Sequence, residues 1–221
     1  MAGREPYRLK PLLIGYNLFL SLWNAHFLYR FLVLHRWGAD VFDFRRPSFE
    51  DHSPLALEQI SLQHVYLLSK LVDLFETIFF VLRKKPNQIT ALHTYHHFTV
   101  PIIGFVSIRL VGNSRPLLLF GLCNSFIHTI MYGYYGLSAF GPHMQPYLWW
   151  KRYITQIQII QFAIFIVVGV AFVTLQTGHH WFYLTCFFGQ SSLYLVLFIR
   201  FYLKTYKQQQ QQQQQSKRKV A

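Results

Sequence analysis

The chain is short of charged residues, and above all of acidic ones. Of its 221 residues only 13% are charged, with 8 acidic against 21 basic side chains. A soluble domain normally carries about 25% charged residues, so an ordinary soluble globular protein is disfavoured. Hydrophobic residues make up 52% and aromatic residues 19%. This composition predicts that the chain resides in a lipid bilayer.

Cysteine is also scarce. The two cysteines, Cys123 and Cys186, both lie within apolar segments. The disulfide framework of a small extracellular domain needs more cysteines than this, and such a framework is excluded. We interpret both residues as buried free thiols.

Six long apolar segments fill most of the chain. A transmembrane helix needs about 20 mostly apolar residues, and the segments that meet this length are 11–35, 56–82, 89–110, 116–137, 153–176 and 180–203. The breaks between them carry turn-forming residues, and the shortest break, at 176–180, predicts a tight helical hairpin. The predicted fold class is all-α, a polytopic membrane protein with six transmembrane helices.

The basic residues are distributed unevenly between the two sides of the membrane. Thirteen of them fall in the N-terminus, the second and fourth breaks and the tail, whereas five fall on the opposite side. The positive-inside rule therefore predicts that both termini are cytosolic. The net charge is thus explained by membrane topology, and no nucleic-acid partner is expected.

Three regions follow from this topology. Residues 1–10 are predicted to be a cytosolic N-terminal segment, 11–203 the six-helix domain, and 204–221 a disordered cytosolic tail. The tail contains eight consecutive glutamines and ends in KRKVA. Its lysines resemble the dilysine signal that returns membrane proteins to the endoplasmic reticulum, which predicts residence there.

Polar residues inside the apolar segments predict a functional site. Ionisable groups are costly within a membrane and indicate function. On four spans they share one helical face, at a depth of roughly 9–15 Å from the cytosolic boundary. The candidates are Lys70, Asp73, Glu76 and Thr77 on the second span, His93, His96 and His97 on the third, Asn124, His128, Met131, Tyr132 and Tyr135 on the fourth, and Thr155, Gln158 and Gln161 on the fifth.

Two chemistries use clustered histidines in a membrane. In one, the rings bind a redox metal, as in the HxxHH boxes of di-iron oxygenases and desaturases. Four imidazoles at one depth are too few for two irons, although with carboxylate help they could hold one metal. In the other, an imidazole acts as nucleophile or base in acyl transfer. Here Asn124, Gln158 and Gln161 could stabilise an oxyanion, while Asp73 or Glu76 orients a ring.

Four motifs give the chain a family resemblance. They read KLVDLFETIFFVLRKK at 70–85, HTYHH at 93–97, NSFIHTIMYGYYGLSAFGP at 124–142 and LWWKRYITQIQIIQF at 148–162. In this order they resemble the fatty-acid elongase (ELO) family over residues 6–207. The second and third motifs at this separation are highly specific together, whereas HxxHH alone would not be.

The resemblance implies a condensing enzyme of fatty-acid elongation, a very-long-chain 3-oxoacyl-CoA synthase. It would condense a long-chain acyl-CoA with malonyl-CoA, releasing carbon dioxide and free CoA, through an acyl-imidazole and with no metal or other cofactor. The six helices would form a barrel around an acyl-chain tunnel. Expected partners are membrane lipid, the other enzymes of the elongation cycle and, in a homodimer, a second copy of the chain.

The resemblance also implies roles for individual residues. By position His96 is the nucleophile and His128 its reactive partner, with orienting or polarising roles for His93, His97, Asn124 and Gln158. The remaining catalytic candidates are Lys70, Asp73, Glu76 and Gln161. Candidates for binding CoA, whose phosphates suit basic side chains, are Arg83, Lys84, Lys85, Lys151 and Arg152, together with Tyr132 and Tyr135.

The sequence departs from the family pattern in two respects. The pattern K-x-x-E-x-x-D-T places the acids of the second span in the opposite order from Asp73 and Glu76. The family also has seven spans, and this chain is expected to lack the first. One alternative function is therefore a catalytically impaired family member that acts as a complex partner. Another is a metal-dependent lipid oxygenase.

Overall fold

The protein is mainly helical in the part of the chain described by the computed structural model, which comprises residues 3–43, 50–112, 114–175 and 181–220. Side chains at 111, 182, 183, 186 and 207–220 lie outside that description. Helices account for 86% of the chain, and the described ranges contain no strand. This confirms the predicted all-α class. The predicted hairpin turn at 176–180 and the thiol of Cys186 fall outside the described residues, while Cys123 is a half-buried free thiol.

Seven α-helices follow the predicted apolar segments closely. They are α1 (Lys10–Leu34), α2 (Pro54–Asp73), α3 (Phe75–Leu82), α4 (Ala91–Val111), α5 (Arg115–Ala139), α6 (Lys151–Thr174) and α7 (Trp181–Val220). Short 3₁₀ helices lie at Arg36–Phe42, Pro86–Gln88 and Pro142–Tyr147. By length and apolar composition, α5 and α6 are suited to crossing a membrane. The histidines of α4 and the charged residues of α2 lower the hydropathy of those helices.

Helix caps set where α2 and α4 begin. Ser53 precedes Pro54, and its hydroxyl oxygen accepts a hydrogen bond from the amide of Ala56 at 3.2 Å. Thr90 likewise accepts from the amide of His93 at 3.1 Å. A side-chain oxygen at this position satisfies an amide that the first helical turn leaves unpaired. The cap at Thr90 therefore fixes the start of α4 directly before its histidines.

The second predicted span is not one continuous helix. It divides at Leu74, whose amide bonds to the carbonyl of Leu71 at 3.3 Å, while the amide of Thr77 bonds to Leu74 at 3.1 Å. These bonds reach back three residues, the pattern of a 3₁₀ turn. The prediction of a single helix over 56–82 was wrong in this detail. The interruption falls between the two acids, Asp73 and Glu76.

The helices pack in an order that differs from the chain order. Helix α1 packs along α5, α5 along α6 and α6 along α7, and α7 and α2 both contact α4. Helices α1 and α2 also contact each other. The approach of α1 to α5 is close because Gly121 faces the ring of Phe31, where an added Cβ would come within 2.6 Å of Cζ. Phe31 is fully buried in a core with Phe27, Tyr66 and Leu118.

Helix α7 continues past the predicted end of the membrane domain. Its backbone is helical to Val220, whereas the composition of residues 204–221 predicted disorder. Glutamine and lysine, which dominate this tail, are among the better helix-forming residues, which accounts for the helical backbone. The domain boundary at residue 203 stays a prediction.

Candidate functional site

Lys70 and Asp73 form an ion pair inside the protein, one turn apart near the end of α2. The Lys70 Nζ lies 3.2 Å from Asp73 Oδ2, and the two side chains are 3% and 6% exposed. The ammonium also lies over the ring of Tyr66, 4.6 Å from its centroid, a favourable cation–π contact. On its other side Asp73 Oδ2 lies 3.9 Å from His128 Nδ1. Asp73 is therefore placed between a cation and an imidazole.

Two histidines of α4 face α3. His97 Nε2 lies 3.5 Å from Glu76 Oε2, and His93 Nε2 is hydrogen-bonded to the hydroxyl of Thr77 at 2.9 Å. The two imidazole rings are themselves close, with centroids 4.1 Å apart. Residues 93 and 97 are four apart and share one helical face. The short helix α3 thus provides both of their polar neighbours.

The third histidine of α4 faces a different set of side chains. The ring of His96 lies 6.5 Å from that of His128, with an interplanar angle of 25°, and 5.4 Å from the ring of Tyr194 in α7. Tyr194 is hydrogen-bonded to Thr99 at 2.5 Å. His128 is buried, and its Nδ1 has no hydrogen-bond partner among the described residues. His96 is therefore the ring that connects α4 with both α5 and α7.

The polar stripe of α5 runs from a buried to an exposed end. Asn124 is buried, and its Oδ1 accepts a hydrogen bond from the Tyr66 hydroxyl at 2.6 Å. Tyr132 is completely buried, with its ring 5.4 Å from that of His128. Tyr135 is 39% exposed, and its ring is 6.3 Å from that of Tyr132. The stripe therefore leads from the histidines towards the protein surface.

The glutamines of α6 lie at the edge of this cluster. The amide nitrogen of Gln158 approaches Met131 Sδ at 3.6 Å, so it contacts the predicted stripe of α5. Gln161 is buried, and its Oε1 has no hydrogen-bond partner among the described residues. The catalytic roles of these two glutamines stay predictions.

The basic residues predicted to bind CoA lie at helix ends, whereas Tyr132 and Tyr135 belong to the polar stripe of α5. Arg83 directly follows α3 and is half-buried, while Lys84, Lys85, Lys151 and Arg152 are exposed. Lys151 and Arg152 open α6. Basic side chains suit an anionic ligand such as a CoA phosphate. Their role in binding is a prediction.

Two tyrosines of the cluster were not predicted from the sequence. Tyr66 lies four residues before Lys70, on the same helical face, and this spacing was a usable signal. Tyr194 follows Gln190 and Ser191 in α7, where a short polar stripe interrupts an apolar segment. Aromatic residues in membrane helices are common, so the residue type of Tyr194 gave little indication of its contact with His96.

An apolar cavity of about 70 Å³ begins one turn beyond His96. Helices α4, α5, α6 and α7 line it with Val100, Gly104, Leu117, Phe165, Phe187 and Tyr194. Tyr194 belongs to both the cavity wall and the surroundings of His96. The polar cluster and the apolar cavity are therefore adjacent, an arrangement suited to a ligand with a polar head and an apolar chain.

Fold and site together define a helical protein in which buried charged residues, one buried histidine and three half-buried histidines lie beside an apolar cavity. The chain belongs to the ELO family (GNS1/SUR4 family), whose sequence pattern matches residues 1–214. It is therefore a membrane-embedded protein of a family of fatty-acid elongases.

Curated relatives agree with this assignment. Very long chain fatty acid elongase 7 of Rattus norvegicus is 34% identical over 209 residues, covering 93% of this chain and 73% of the relative. Very long chain fatty acid elongase 4 of Homo sapiens is 36% identical over 215 residues, covering 94% and 66%. Very long chain fatty acid elongase 1 of Mus musculus is 33% identical over 221 residues, covering 93% and 74%. The chain thus spans about two thirds to three quarters of the length of these relatives.

Proposed function

We propose that this protein is a condensing enzyme of fatty-acid elongation, a very-long-chain 3-oxoacyl-CoA synthase. The observation that carries the proposal is the position of His96. Its ring lies between His128 and Tyr194, at the boundary between a buried polar cluster and an apolar cavity. An acyl chain in that cavity would bring its thioester to the ring, and family membership supports a role in elongation.

The first half-reaction would form an acyl-histidine. A neutral imidazole nitrogen of His96 attacks the thioester carbon of the acyl-CoA, and the carbon–sulfur bond breaks. The CoA thiolate leaves as free CoA after taking up the proton that the imidazole releases. His128, 6.5 Å away between ring centroids, is a buried imidazole that could relay this proton, and Asp73 beside it would hold it in position.

The second half-reaction would form the new carbon–carbon bond. Malonyl-CoA loses carbon dioxide, and the resulting enolate attacks the acyl carbon on His96. The carbon–nitrogen bond then breaks, which releases 3-oxoacyl-CoA. The departing imidazole nitrogen takes up one proton from solvent, relayed by His128, and this restores the neutral ring. Lys70 provides a buried positive charge near this step, and the amides of Asn124 and Gln158 are further candidates for stabilising developing negative charge.

The acyl chain would occupy a tunnel within the helices. In support, the contacts between helices follow a closed order, α1, α5, α6, α7, α4, α2 and back to α1, as in a six-helix barrel. The cavity of about 70 Å³ is much smaller than the roughly 300–1,000 Å³ of typical ligand pockets. We infer that side chains such as Phe165 move aside when a long chain enters.

Substrates would arrive from the cytosolic side. The exposed Lys84, Lys85, Lys151 and Arg152 would meet the CoA phosphates there. The excess of basic residues on that side supports cytosolic termini. The dilysine-like ending supports residence in the endoplasmic reticulum, where other enzymes of the elongation cycle are expected as partners.

An intact-mass measurement tests the proposed intermediate. We expect purified protein incubated with a long-chain acyl-CoA, without malonyl-CoA, to gain the mass of one acyl group. The His96→Ala variant should gain none. His26→Ala is the matched control, because His26 is an exposed histidine of α1 and its removal should leave the adduct unchanged. Adduct formation in equal yield on His96→Ala would refute the assignment of the nucleophile.

An elongation assay distinguishes the alternatives. With labelled malonyl-CoA added, the native protein should form a 3-oxo product and His96→Ala should not. If no acyl-CoA of any chain length yields product with the native protein, the enzymatic proposal fails. The impaired-partner alternative, suggested by the exchange of Asp73 and Glu76, instead requires His96→Ala to be without effect on elongation in the assembled system.

A further inference from the structure

Glu76, His93 and His97 form a cluster whose ligand atoms all lie within 4.8 Å of one another. The two histidines are four residues apart on one face of α4, and the carboxylate comes from α3. Paired histidines one helical turn apart, with a glutamate from another element, are the ligand type of zinc sites such as those of the His₂Glu class. We call these three residues the His-His-Glu cluster.

The distance between His97 and Glu76 suits two ligands of one metal ion better than a direct hydrogen bond. His97 Nε2 and Glu76 Oε2 are 3.5 Å apart, longer than the usual 2.7–3.2 Å of a hydrogen bond. Two ligand atoms bonded to a tetrahedral zinc at about 2.1 Å lie about 3.4 Å apart. The distance between these two atoms therefore already matches the distance between two ligands of one zinc ion. Glu76 is only 8% exposed, so its carboxylate is not simply solvated.

We propose that the His-His-Glu cluster binds a divalent transition metal, with Zn²⁺ as the ion it fits best, and that the bound metal inhibits the enzyme. Imidazole and carboxylate ligands favour zinc, cobalt, nickel and copper over magnesium or calcium. The hydroxyl of Thr77, 2.9 Å from His93 Nε2, adds an oxygen beside the site. This metal is a reversible ligand of the cluster and supplies no chemistry to condensation.

Inhibition follows from the position of the cluster. The ring of His97 lies 5.6 Å from that of His96, so an ion held by His97 would add positive charge beside the proposed nucleophile. It would also hold the rings of His93 and His97 on the metal, so that they could not orient substrate. This inhibitory effect rests on the proposed function, whereas metal binding itself does not.

Cobalt binding provides the test. Full-length protein, purified in detergent with a tag free of histidine, is titrated with Co²⁺, and the visible absorption of four-coordinate cobalt is recorded. We expect one Co²⁺ per chain, displaced by Zn²⁺. His93→Ala and Glu76→Gln should weaken binding by at least about tenfold. His96→Ala is the matched control, because it removes the adjacent histidine and should leave cobalt binding unchanged.

The outcomes separate the two proposals. Absence of a four-coordinate spectrum in the native protein, or an unchanged affinity in His93→Ala, overturns the metal site. If Glu76→Gln fails to fold, Glu76→Asp keeps the carboxylate and should still bind cobalt more weakly than the native protein. Zn²⁺ should also inhibit elongation over the concentration range in which it displaces Co²⁺. Cobalt binding in a protein without elongase activity would retain the site and reject the enzymatic proposal.

Discussion

Replacement of Asp73 by asparagine removes one member of an ion pair that is almost completely buried. Lys70 and Asp73 are 3.2 Å apart with side chains 3% and 6% exposed, so water cannot stabilise the remaining ammonium. Loss of one partner from a buried pair typically costs about 3–5 kcal/mol, because the other charge is left uncompensated. A loss of about 3 kcal/mol lowers the folding equilibrium constant by more than about a hundredfold.

The exposed ion pair between Arg30 and Glu58 provides a matched control. Their side chains are 35% and 50% exposed, and such surface pairs contribute at most about 1 kcal/mol. Glu58→Gln makes the analogous charge-to-amide change, so it should lower the free energy of unfolding far less than Asp73→Asn does.

Unfolding in mixed detergent and SDS micelles, followed by helical circular dichroism, measures both variants. Equal losses of stability for Asp73→Asn and Glu58→Gln would show that the buried pair is not an ionised pair. The double variant Lys70→Met with Asp73→Leu should regain most of the stability, because both charges are removed together. It should be inactive in elongation, because Asp73 would no longer hold His128 in position, and this separates the structural contribution of the pair from its catalytic one.

Two further predictions concern packing. Gly121→Ala should lower the free energy of unfolding by about 1–3 kcal/mol, because its new methyl group would meet the buried ring of Phe31 at 2.6 Å. Gly133→Ala in the same helix has an ordinary contact of 3.5 Å to Ser21 and should stabilise by about 0.5–1 kcal/mol. Equal effects in SDS unfolding would contradict this packing. Phe165→Ala should enlarge the apolar cavity and lengthen the products by at least one two-carbon step, as gas chromatography of the released acids would show, at a stability cost of about 3–5 kcal/mol. An unchanged product distribution would mean that the cavity does not hold the acyl chain.

Much of the fold was predictable because membrane helices leave a strong signal. The apolar segment 116–137 corresponds to α5 at Arg115–Ala139, and 153–176 corresponds to α6 at Lys151–Thr174. Hydropathy does not report backbone hydrogen bonds, however. The interruption at Leu74 depends on backbone amides that donate hydrogen bonds to carbonyls three residues earlier. No residue type in that segment predicts such a change.

The site was predictable where helical spacing alone decides the outcome. His93 and His97 share a face and do lie together. His96 and His97 are separated by about 100° around α4, and this rotation directs the two rings to different neighbours. Which neighbours they meet depends on the packing of α3, α5 and α7 around α4, which local spacing cannot specify. The Tyr66 and Tyr194 contacts could not be fixed from sequence for the same reason.

The break at Leu74 has a mechanical consequence. Helix α3 has only two turns and is joined to α2 through that single residue. A small rotation about the φ and ψ angles of Leu74 would change the separation of the Asp73 and Glu76 carboxylates while leaving each helix intact. Helix α3 also places Glu76 in its first turn, where the helix dipole favours a negative charge. The Leu74 junction therefore allows the two carboxylates to move relative to each other without a change in either helix.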